Sequence, residues 1–257
     1  GTLCEERFFR HGHHLLVLSE QGRSAVRPRL NAFGLPPATL HLGPHLNYLD
    51  ECDRTAAPLS HHTGLKLGFL GIIAHSKGLD TLVTALQQLK SDLLPISLEL
   101  VGDAPGLPEQ HYRDQLAKRI RAAGLDQQVT LRGPLPDREL PGFLAGIDLL
   151  VLPYLATGSG SSSGPLMWAR SMGIPVLASA TRNMPEMIRH GHDGLLVTPG
   201  SATELADRLR ELAGDRSLLL RLRHGAQQRT ECSWPITVQR LETLMQSVTA
   251  PDRKDLP

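Results

Sequence analysis

A chain of 257 residues, 40% hydrophobic and 21% charged, with 27 Lys and Arg against 26 Asp and Glu, has the make-up of a folded globular protein. Its net charge of +1 gives no electrostatic case for nucleic acid, because the basic residues are dispersed along helices instead of forming a block. No run of eighteen apolar residues and no signal-peptide pattern occurs, so a cytoplasmic protein is expected, with Cys4, Cys52 and Cys232 as widely spaced free thiols.

Along the chain, His11, His13 and His14 come first and His61 and His62 form a second group. No Cys or carboxylate lies at ligand spacing, so both are expected as solvated loop histidines and not as a metal site. Pro58, the second pair and Gly64 look like a linker. Composition changes there from a polar, proline-interrupted segment to dense alternation, which divides the chain near Thr63 into residues 1–62 and residues 63–257.

Beyond that line strands and helices alternate. Strands are predicted at Leu65 to Leu70, Ser97 to Val101, Val129 to Leu131, Leu149 to Leu152, Pro175 to Ala178 and Gly194 to Val197. Between and after them the pattern predicts helices at Leu79 to Leu89, Tyr112 to Ala123, Arg138 to Ala145, Pro165 onward, Pro185 to Ile188, Ala202 to Ala213 and Arg216 to Arg229. Such an order implies an α/β fold: a Rossmann-like parallel sheet with helices on both faces. Ligands of such sheets bind at the carboxyl ends of the strands, where the loops at Gly71, Gly102, Gly133 and Gly158 to Gly164 would converge.

One stretch is especially informative. From Ile147 to Ser179 an apolar strand ends at Pro153, a small-residue loop runs to Gly164, and Pro165 takes the first position of a helix that stops at Gly173. The positive end of that helix faces Ser161, Ser162, Ser163 and Gly164, an arrangement suited to a phosphate or diphosphate. A plain strand-to-helix connection is the other reading.

Seven short motifs then follow one another in order: Gly68-Phe69-Leu70-Gly71 with Ser76-Lys77-Gly78, Leu100-Val101-Gly102-Asp103, Val129 to Gly133, Ile147 to Pro153, Gly173-Ile174-Pro175-Val176, Met184-Pro185-Glu186, and Gly191 to Val197. Ser233-Trp234 precedes a final helix. From Gly64 to about Val248 the chain resembles the C-terminal, donor-binding domain of GT-B retaining glycosyltransferases of family four, the glycosyl transferases group 1. The preceding strand at Leu15 to Ser19, helix to Leu30, Gly34-Leu35-Pro36 and strand at Thr39 to Leu42 resemble the last piece of that family's N-terminal, acceptor-binding domain.

The resemblance implies a hexose transferred, with retention, from a nucleotide diphosphate sugar to a saccharide or lipid-linked acceptor, without a metal or other cofactor. Lys77 stands at the family's catalytic lysine, which stabilises the departing diphosphate. Donor contacts carry over to Gly71, to Gly133 and Leu135 around the base, and to Ser161, Ser162, Ser163 and Gly164 around the phosphates. The chain departs from the pattern at Ile72, where the family has an arginine, and at Gly160 and Trp168, where it has two glutamates. Pro165 also removes a backbone donor. Glu186 and Asp103 have ordinary structural readings, as a helix-start acid and a turn residue. A non-catalytic nucleotide-sugar-binding or interaction domain is the alternative. Only the final piece of the acceptor-side domain is recognisable, so self-association or a partner supplying the rest is expected, as is peripheral placement at the inner membrane face.

Overall fold

The computed structural model describes residues 14–17, 19–34, 40–42, 64–157, 163–229 and 234–249. The histidines 11, 13, 61 and 62, the three cysteines, Gly160, Ser161, Ser162 and the expected boundary at Thr63 lie outside the described residues. By compactness the chain forms two units, Gly1–Asn47 with Thr230–Pro257, and Tyr48–Arg229. The closing helix is thus grouped with the amino-terminal residues.

In the first unit, β1 (Leu15–Val17) pairs in parallel with β2 (Leu40–Leu42), and α1 (Glu20–Ala32) connects them. Ser19 caps α1 by accepting the Gly22 N–H at 3.0 Å, which satisfies one of the free donors of the first turn. The last helix of the chain, Trp234–Thr249, runs for 16 residues.

The second unit is built on six parallel strands. In chain order these are β3 (Leu65–Leu70), α2 (Leu79–Gln88), β4 (Ile96–Val101), α3 (Leu107–Ala122), β5 (Val129–Gly133), α4 (Leu140–Ala145) and β6 (Leu149–Leu152). There follow α5 (Gly164–Ser171), β7 (Val176–Ser179), α6 (Met184–Met187), β8 (Gly194–Val197), α7 (Ala202–Gly214) and α8 (Arg216–Gln227). The spatial order is β5-β4-β3-β6-β7-β8, so the direction of winding reverses between β3 and β6. A crevice opens at such a reversal because the connections on its two sides leave toward opposite edges.

The residues account for this sheet. Leu149 to Leu152 and Val176 to Ser179 are buried throughout, as strands covered on both faces require. Leu82, Val83 and Leu86 of α2 and Leu205, Leu209 and Leu212 of α7 recur at helical spacing and join the same core. Truncating any one of these leucines to Ala would cost about 2–5 kcal/mol.

Two glycines draw the carboxyl ends of the strands together. A β-carbon on Gly102, just past β4, would fall 1.7 Å from the carbonyl oxygen of Gly71, just past β3. Gly78 has φ 69° and approaches the Pro153 carbonyl so closely that a β-carbon would lie 1.9 Å from it. Leu155 N–H donates to the Ser76 carbonyl at 3.1 Å beside this contact. Only glycine permits either approach. The loop after β3 is thereby fixed against the loop after β6, on either side of the reversal.

Each predicted strand and helix of this unit is present, with shifted ends. The largest shift is in α3, which begins at Leu107 and not at Tyr112; Pro108 occupies its first turn, where a missing N–H costs nothing.

Candidate functional site

A cleft of about 300 Å³ lies at the carboxyl ends of the strands. Its walls come from the ends of β3 (Leu70, Gly71, Ile72) and β4 (Val101, Gly102, Asp103), from Pro134, Leu135, Asp137 and Leu140 after β5, and from Gly164, Pro165 and Trp168 of α5, while Lys77, Tyr154 and Ser163 stand outside this lining. Of the residues singled out from sequence, Gly71, Leu135 and Gly164 therefore line one space. Gly133 stands one residue outside it with φ 82°, and its carbonyl accepts the Gly102 N–H at 3.0 Å, which ties the β5 loop to the β4 loop.

Lys77 ends a short 3-10 turn, His75–Lys77, between β3 and α2. Its Nζ sits 4.2 Å from the centroid of the Tyr154 ring, a cation-π contact made possible by the Gly78–Pro153 approach next to it. Tyr154 is 1% exposed, and burial raises its pKa. The phenol oxygen lies 3.3 Å from Ser163 Oγ, and Ser163 caps α5 by accepting the Leu166 N–H at 3.4 Å. A continuous line of contacts thus runs from the Lys77 ammonium through an aromatic ring to the start of α5.

The electrostatics of this corner are one-sided. The pKa of Lys77 is lowered, first by burial and then by the charge of Arg182. At the start of α5, Pro165 has no N–H and that of Leu166 is taken by Ser163, so the helix offers its dipole and the Gly164 N–H. An ammonium with no ion-pair partner among the described residues, set beside a helix start, can hold an oxyanion.

The positions noted as departures sit as follows. Ile72 lies on the cleft wall, 47% exposed, and Trp168 forms another part of the wall. Asp103 also lines the cleft, but its carboxylate accepts the following Ala104 N–H at 2.7 Å and its carbonyl accepts the Ile73 N–H, as a turn residue would. Glu186 is an exposed residue of the first turn of α6. Among the described residues no group of three or more His, Cys, Asp and Glu is placed to hold a metal ion. No helix among them is long and apolar enough to cross a membrane.

Sequence reasoning gave no role to Tyr154 or Arg182. The available signal was positional: Tyr154 follows β6 and Arg182 follows β7, both at carboxyl ends of central strands.

Against known proteins, the sequence profile described as Glycosyl transferases group 1 matches residues 64–215. The chain is 30% identical over 216 residues to D-inositol 3-phosphate glycosyltransferase 1 of Catenulispora acidiphila, covering 81% of this chain and 51% of that protein. It is 30% identical over 162 residues to the GDP-mannose-dependent alpha-(1-6)-phosphatidylinositol monomannoside mannosyltransferase of Mycobacterium tuberculosis, covering 62% of this chain and 40% of that protein. The chain thus spans about half, or less, of these relatives. In fold it is similar to Anabaena HepE crystallised with UDP and glucose, with TM-score 0.75 and 22% identity over 95% of this chain and 67% of that one. It is also similar to the C-terminal domain of a glycosyl transferase group 1 family protein of Francisella tularensis, with TM-score 0.55 and 22% identity over 71% of this chain and 92% of that one.

Proposed function

This chain belongs to the glycosyl transferases group 1 family, and on that premise we propose that its cleft is the donor side of a retaining hexosyltransferase. The donor is a nucleotide diphosphate sugar and the acceptor a saccharide or lipid-linked sugar. One observation carries the reading: Lys77, held on Tyr154 with no ion-pair partner among the described residues, is linked through that ring to the Ser163-capped start of α5 at the point where the sheet reverses.

The chemistry follows from charge. As the bond between the sugar and the diphosphate breaks, negative charge grows on the leaving oxygens, and a fixed ammonium stabilises that state more than the ground state. Desolvation strengthens the contact because Lys77 is half-buried. The base would lie toward Leu135 and Pro134, where backbone groups and apolar surface are on offer, with Gly71 permitting close approach. Ser161 and Ser162 remain expected phosphate contacts. Relatives named as glycosyltransferases support the reaction class, and the solved relative with UDP and glucose supports a nucleotide-linked hexose.

A second reading, a nucleotide-sugar-binding domain without turnover, is favoured by Ile72 and Trp168, which put uncharged side chains on the cleft wall. Calorimetric titration with UDP- and GDP-hexoses, run beside an assay for release of free nucleoside diphosphate, separates the two. Binding with release is expected for the enzyme. Binding without release, persisting when saccharide and lipid-linked acceptors are added, would favour the second reading, and no binding to either donor would overturn both.

A further inference from the structure

Arg182 occupies the turn between β7 and α6, at the carboxyl end of the strand next to β6. Its φ of 55° puts a residue with a β-carbon in the left-handed region, where glycine is the comfortable occupant. Strain of this kind persists where surrounding structure or function maintains it. The guanidinium carbon lies 5.8 Å from the centroid of the Tyr154 ring, the same ring that Lys77 contacts at 4.2 Å. Two cations therefore share one aromatic platform.

Neither has an ion-pair partner among the described residues. The Nε of Arg182 is buried and meets no acceptor, and the neighbouring Asn183, 2% exposed, leaves its Nδ2 equally unmatched. A buried donor without an acceptor is costly, and two like charges on one ring add repulsion to that cost. An anion that contacts both cations would offset their repulsion and give the Arg182 guanidinium an acceptor. A guanidinium can grip such an anion through two parallel N–H bonds, which an ammonium cannot.

We infer that Arg182 is a second anion-binding residue of this site, acting with Lys77 to hold the two phosphates of a nucleoside diphosphate; the inference rests on the donor-site reading above. Selectivity for a diphosphate over a lone phosphate or an uncharged nucleoside follows from two cations acting together.

The test uses the whole chain and the variants Arg182→Gly, Arg182→Lys and Lys77→Ala, with inorganic diphosphate, UDP, GDP, uridine and guanosine as probes. Glycine suits the left-handed backbone, so Arg182→Gly is expected to keep or raise the melting temperature. It should weaken inorganic diphosphate and nucleoside diphosphate binding about tenfold or more and leave nucleoside binding unchanged. Arg182→Lys should recover part of the loss. Unchanged diphosphate affinity in Arg182→Gly, or no binding of inorganic diphosphate by the native chain, would overturn the inference. A loss in Lys77→Ala without one in Arg182→Gly would overturn it while leaving the donor-site reading standing. Binding of inorganic diphosphate through Arg182 with no binding of UDP or GDP would keep the anion site and overturn the nucleotide reading.

Discussion

The two ends of the parallel sheet treat charge in opposite ways. At the amino end, Asp148 is buried just before β6 and accepts the Lys66 N–H at 2.9 Å, while Arg223 of α8 donates to the Ile147 carbonyl. Asp193, also buried, accepts the Arg189 N–H and side chain at 2.9 and 2.7 Å and pairs with Arg229 at 3.1 Å; Arg229 donates in addition to the Met187 carbonyl. At the carboxyl end Lys77 and Arg182 both face the Tyr154 ring, and among the described residues neither has an ion-pair partner, although Asp103 and Asp137 line the neighbouring cleft. Charges at the first end close the structure; charges at the second leave capacity for something outside the chain.

Breaking the closed end should have the largest effect. Asp193→Ala strips the counterion from Arg229, a nearly buried guanidinium, and should destabilise the domain by about 3–5 kcal/mol, read from denaturant midpoints. In the folded fraction, affinity for UDP or GDP should not change. A stability loss much below 1 kcal/mol would remove the contrast between the ends.

At the open end the balance reverses. Lys77→Ala should cost little stability, because it removes a charge that burial and Arg182 both disfavour, yet weaken nucleoside diphosphate binding by roughly 1.5–3 kcal/mol in calorimetry. Tyr154→Phe keeps the ring and deletes the hydroxyl facing Ser163, so thermal melting should show a loss of about 0.5–1.5 kcal/mol while the diphosphate contact stays largely intact.

The smallest effect is on pH. The pKa of Lys77 is lower folded than unfolded, so the unfolded chain binds more protons between the two values. Stability from this group should therefore rise as pH climbs through the folded pKa toward the ordinary lysine value, a trend that Lys77→Ala should flatten. Diphosphate affinity should run the other way and fall over that range as the ammonium is lost.

How much of this was legible in the sequence depends on whether the cause is local. Apolar runs such as Leu149 to Leu152 and helical spacing such as Leu205, Leu209 and Leu212 carry their own pattern, so the strands and helices of the second unit could be placed from residues alone. The start of α3 was missed by five residues because Leu107 is 81% exposed and adds nothing to an apolar face, although Pro108 marks a first turn. Gly71, Leu135 and Gly164 could be gathered into one cleft because the strand order sends their loops to one end. The partners of Lys77 could not. Tyr154 and Arg182 lie far from it along the chain, and Lys77 reaches Tyr154 beside the Gly78 approach to Pro153, a tertiary contact with no sequence period.

The most direct measurement of the open end is the ratio of affinities for nucleoside diphosphate and nucleoside, UDP over uridine and GDP over guanosine, in the native chain and in Lys77→Ala. If these cations hold phosphate, at least one native ratio should be about tenfold or more and should fall about tenfold or more in Lys77→Ala, Arg182 keeping what remains. Ratios near one in the native chain, or a high ratio that Lys77→Ala leaves intact, would contradict the assignment of the carboxyl-end cations to a diphosphate.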